Sequence, residues 1–169
     1  MSNVNENAGR SAGCTGGAKA PTGHLASLWS ALSAFSLDVR GAPYPLSARL
    51  ADEQDWTIEF TAAAIEEYKR FIFLAAVSGQ TVTPSLVVDE VWHTHLIYTR
   101  SYWEEMGDIV GRLIHHDPGS GEAADEALFA GLYLRTLNSY RRFFGEPPSD
   151  IWGPENGKHV LPKGRKKPA

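Results

Sequence analysis

The run WTIEFTAAAIEEYKRFIFLAAVS, residues 56–78, constrains the fold most. Phe60, Ala63, Ala64, Phe71, Leu74 and Ala75 share one helical face, and Gly79 closes the run. So long an amphipathic helix needs other helices to cover its stripe. TVTPS (81–85) supplies Thr83 as an N-cap and Pro84 at the first helical position of a second helix. That helix is predicted to run to about Met106 and to stop at Gly107. With so short a connection, the two pack antiparallel. HLASLWSALSAFSL (24–37) and residues 122–144 carry the same periodicity, the latter through Phe129, Leu132, Tyr133, Thr136, Tyr140 and Phe143. RGAPYPL (40–46) and GEPPSDIWG (145–153) break the pattern, with Trp152 as the expected anchor of the chain's end. Strand alternation and internal repeats are lacking. The expected fold is a small all-α domain of about four helices, with a functional loop at 107–123 between the last two.

Composition sets the limits of this domain. Residues 1–22 hold few large apolar side chains and are expected to be a disordered tail, leaving 23–153 as the helical domain. Residues 154–169 form a basic tail; from Lys158 onward it has five cations and no acid, while residues 1–157 carry a net −9. Nucleic acid is therefore an unlikely partner, apart from weak contacts by this tail. Cys14 is the single cysteine, which excludes an internal disulfide and a thiolate metal site. Without a signal-peptide pattern or a membrane-length apolar run, the chain reads as soluble and cytoplasmic.

The chemistry-bearing residues concentrate in VVDEVWHTHLIYTRSYW, residues 87–103. A helix turns about 100° per residue, so His93 and His95 point roughly 200° apart and cannot chelate one ion. His95 falls on the buried face with Val91, Trp92, Thr99, Tyr102 and Met106. His93 falls on the polar shoulder with Asp89 and Arg100. On the preceding helix Glu67 lies inside the apolar face, whereas Glu66, Lys69 and Arg70 point away. A buried carboxylate must be protonated, paired or metal-bound, because isolating its charge costs many kcal/mol. Glu67 and His95 stand at similar height in an antiparallel pair, so they are expected to meet. HHDPG (115–119) adds two histidines on the loop, of which at most one faces any given site.

Three functional classes follow. A metal site would draw on His95, on His115 or His116, and on Glu67 or Asp89, a donor set suited to zinc, iron or manganese. An open coordination position would then generate a nucleophilic water. An interaction module would use His95 as a core residue bonded to Glu67 or Tyr102, with Asp89–His93 as a surface pair. Its unidentified protein partner would dock on exposed aromatics such as Tyr98, Trp103 and Trp152. A metal-free acid–base enzyme would use Asp89 to orient His93 and Arg100 to clamp a small anionic substrate. No nucleophile, P-loop or dinucleotide motif is present.

Asp89, Trp92, His93, His95, Tyr102, His116 and Asp117 together resemble the glycine-rich domain-containing protein family, known from plants and from shorter bacterial relatives. The resemblance lies in a D-x-x-W-H-x-H block, a tyrosine seven residues after its second histidine, and a later His-Asp pair. EYKRFIFL and PPSDIW extend it over roughly 46–152. It implies candidate-site roles for Trp92, Tyr102 and Asp117 but no particular chemistry. Plant members are associated with growth and stress responses, and their long glycine-rich region has no counterpart here.

Overall fold

In the computed structural model the described residues are 21–39, 41–116 and 123–154, and for 123–127 the backbone alone. The expected Asp117 and both predicted tails beyond these limits lie outside them. Among the described residues seven α-helices follow one another: α1 His24–Ala34, α2 Leu46–Gln54, α3 Ile58–Val77, α4 Leu86–Leu96, α5 Gly107–Val110, α6 Ala123–Phe144 and α7 Ser149–Trp152. A π-helical segment, Arg100–Met106, lies between α4 and α5. There is no strand among the described residues, so the all-α expectation holds, with more helices than the four foreseen.

The extra elements are short. In α2, Leu46 and Leu50 are its two buried residues, too few to register as a periodic run. Its first turn is held from outside, where Asp38 accepts from the Ser47 backbone N–H (2.8 Å) and hydroxyl (2.6 Å). The predicted helix to Met106 is divided. It starts after Ser85, whose hydroxyl caps Val88 N, and not at Pro84. The Thr83 N–H instead donates to the Thr136 hydroxyl on α6 at 2.9 Å. After Leu96 the α-helix stops, and Thr99, expected on the buried face, is exposed. The wider π turn then brings Ser101, Tyr102 and Met106 inside together.

The long helix α3 is the hub, touching α1, α2, α4 and α6. Thr57 caps it by accepting from Phe60 N. Tyr68 meets His95 and Phe71 meets Trp92, so α3 and α4 run antiparallel as expected. Lys69 departs from its expected outward direction. It is buried, and its ammonium donates to the Ser33 carbonyl of α1 (3.2 Å) and to Glu66 (2.7 Å). Glu67 is buried as the periodicity required. It accepts from Trp152 Nε1 and the Tyr140 hydroxyl, both at 2.8 Å, and pairs with Arg70. One carboxylate thus ties α3 to α6 and α7, and Trp152 is indeed the anchor of the chain's end. Being fully buried, Trp152 does not serve as the exposed docking aromatic considered above.

Replacing Glu67 by Ala strands two buried donors and a partly buried guanidinium, and should cost about 3 kcal/mol in urea unfolding. Glu67→Gln keeps an acceptor and should cost roughly half as much, whereas equal losses for both would contradict this role.

Candidate functional site

The division of α4 into a wet and a dry side decides where each histidine goes. His95 is fully buried. Its Nδ1 is bonded to the Tyr68 hydroxyl (2.9 Å) and its Nε2 to the Ser101 hydroxyl (3.1 Å). Phe35, Tyr68 and Tyr102 rings surround it. Burial lowers its pKa from the usual 6.5 to about 4, because desolvation penalises the imidazolium and no acid among the described residues is bonded to it to offset that. Both nitrogens are occupied by hydroxyls, and Glu67 is engaged with α6 and α7. The ligand set expected around His95 and Glu67 is therefore not assembled. Tyr68, one residue beyond Glu67, takes the position opposite His95, while Glu67, also buried, faces α6 and α7 about 100° away around α3.

On the opposite side of α4, Asp89 and His93 stand one turn apart. His116 reaches them from the segment after α5, bonding Nε2 to Asp89 Oδ1 at 2.9 Å. His93 Nδ1 lies 3.8 Å from Asp89 Oδ2, and the two imidazole rings are 4.6 Å apart. One donor atom from each of Asp89, His93 and His116 falls within 4.8 Å of the other two. Exposure is graded across the cluster, at 15% for the His116 side chain, 27% for Asp89 and 51% for His93. The cluster thus lies at the surface, with one well-packed wall. That wall is Trp92, whose ring meets His116 edge-on at 4.5 Å.

The remaining candidates do not join this cluster. His115 is exposed, with its ring 5.7 Å from Trp103. Arg100 is also exposed and faces Glu104 at 3.7 Å; no hydrogen bond or ion pair among the described residues links it to Asp89 or His93. Tyr98 is half-buried, its hydroxyl donating to the Tyr44 carbonyl at 3.0 Å. Tyr102 accepts from Trp92 Nε1 at 2.8 Å and donates to the Ile114 carbonyl. Helical phase alone placed Asp89 beside His93. It had no means of bringing His116 to them, because a loop residue has no periodicity to read. The polar partners of His95, Tyr68 and Ser101, were likewise missed; the aromatic at the same level of α3 was the one available signal for Tyr68.

This cluster falls within residues 43–132, which match the family described as UCP032817-like. The chain belongs to the UCP032817-like family. It is also similar to Glycine-rich domain-containing protein 1 of Arabidopsis thaliana, 24% identical over 108 residues, 61% of this chain and 13% of the plant protein. The chain therefore spans only a small part of that curated relative's length. The resemblance to glycine-rich domain-containing proteins drawn from the sequence holds for this UCP032817-like domain. No solved structure matches the chain.

The buried neutral imidazole makes stability depend on pH. Unfolded, His95 takes up a proton below about 6.5; folded, it resists until about 4. Its contribution is complete above pH 6.5 and should fall away as pH drops toward 4, by roughly 3 kcal/mol at most. Denaturant midpoints measured across that window should flatten in His95→Gln, and an unchanged slope would contradict the assignment.

Proposed function

We propose that the domain binds a divalent transition-metal ion through His93, His116 and Asp89. The observation that carries this reading is the convergence of two imidazoles and a carboxylate from α4 and the following loop within 4.8 Å. Ligand bonds near 2.0–2.1 Å place donors about 3.3 Å apart in a tetrahedral shell. The 2.9 Å contact needs to open slightly and the longer ones to close by roughly 1 Å, within the reach of side-chain rotation at this exposed edge. Without metal, the His116 Nε2 proton serves the bond to Asp89. With metal, that proton moves to Nδ1 and the nitrogen lone pair binds the ion.

Two histidines and one carboxylate suit zinc, iron or manganese, and three protein ligands leave coordination open. A doubly charged ion with one carboxylate retains a unit of positive charge, so the open position favours water, hydroxide or a small anion. Bound water there would have its pKa lowered toward 7, the basis of hydrolytic chemistry. A second reading dispenses with metal: Asp89 orients His116 through the same 2.9 Å bond and His116 acts as the base. Metal content separates the two.

Tag-free protein dialysed against zinc should retain about one ion per chain by elemental analysis. Asp89→Asn, His93→Ala and His116→Ala should each weaken titrated affinity by at least about 100-fold, since each ligand carries several kcal/mol. His24→Ala, at an exposed position of α1, should not. Substoichiometric zinc in wild type, or equal loss in His24→Ala, would overturn the proposal.

A further inference from the structure

We infer that Tyr102 is a positioning residue for this site, fixing where His116 stands relative to Asp89 and His93. The inference rests on reading those three residues as the binding centre. The segment 113–116 that delivers His116 has no helical hydrogen-bond ladder of its own. Its course is set by a few discrete ties. At its start Arg112 donates to the Ala75 carbonyl at the end of α3, and Gly111 (φ 73°) makes the turn that ends α5. At its middle the Tyr102 hydroxyl donates to the Ile114 carbonyl, two residues before His116.

The same hydroxyl accepts from Trp92 Nε1 at 2.8 Å, and the Trp92 ring is the wall against which His116 rests. One oxygen therefore holds both the backbone that carries His116 and the indole that backs it. Within the π turn Tyr102 faces inward beside Ser101, so that its ring packs on His95 (5.2 Å) while its hydroxyl reaches the loop. Burial raises the phenol's pKa, which keeps the proton needed for donation to Ile114. Tyr102 touches none of the three donor atoms directly in any contact among the described residues, so it acts through Ile114 and Trp92.

Tyr102→Phe removes the oxygen and keeps the ring against His95. In this variant zinc affinity should fall about 10- to 100-fold, the range typical of groups that orient metal ligands. A second readout needs no metal. With the Trp92 ring edge-on to His116 at 4.5 Å, its ring current should displace the His116 ring-proton resonances in NMR spectra of the apo protein, and Tyr102→Phe should move them toward those of a free histidine while the His95 resonances stay in place. A glycine inserted between Ile114 and His115 leaves the core intact yet uncouples His116 from the tie, so it should give both losses even if Tyr102→Phe fails to fold. Zinc affinity within twofold of wild type together with unchanged His116 resonances, in either folded variant, would refute the inference. Wild type that binds no zinc would refute the metal reading alone, because the apo resonances still decide the role of Tyr102.

Discussion

The hydrogen-bonded sandwich of Tyr68, His95 and Ser101 governs the arrangement of this domain. An imidazole with no exposure to water must satisfy both nitrogens internally, and here two hydroxyls do so. Once His95 is fixed against α3, the rotation of α4 is fixed too. Trp92 then packs on Phe71, and Asp89 and His93 face outward, where the loop after α5 brings His116. The wet site is therefore a geometric consequence of the dry one. Two histidines one residue apart serve as core pin and surface donor because helical phase separates them.

A second buried polar centre, at Glu67, has a different task. It closes the domain by binding Trp152 and Tyr140, so that the end of the described chain is fastened to the central helix. Carboxylates in helical cores often invite a catalytic or metal-binding interpretation, and the sequence does so here. The partners it has are donors that stabilise its charge in place, which makes it a structural clasp. Asp89 and His93, on the rim of α4, retain access to solvent and carry the proposed site.

What the sequence made legible tracks periodicity. The long helices α1, α3 and α6 appear at nearly their true limits because each carries a repeated apolar stripe. His95 and Glu67 could be placed indoors, and Asp89 beside His93, by the same arithmetic. The arithmetic failed where the backbone left the α-helix. The break after Leu96 and the π turn exposed Thr99 and turned Ser101 inward, which no 3.6-residue wheel anticipates. It also failed at long range. Residue 116 meets residue 89 through a loop held by side chain-to-backbone bonds, and such ties leave no pattern in the residues they join. Short α2 and α7 were missed because each buries only two side chains.

In the proposed function one ion is shared by two imidazoles and one carboxylate at the face of α4. X-ray absorption at the zinc edge, on tag-free protein loaded with one equivalent, tests it most directly. The expected spectrum has a first shell of nitrogen and oxygen near 2.0 Å with outer-shell scattering from two imidazole rings. A shell of water oxygens alone, or scattering from a single ring, would contradict it.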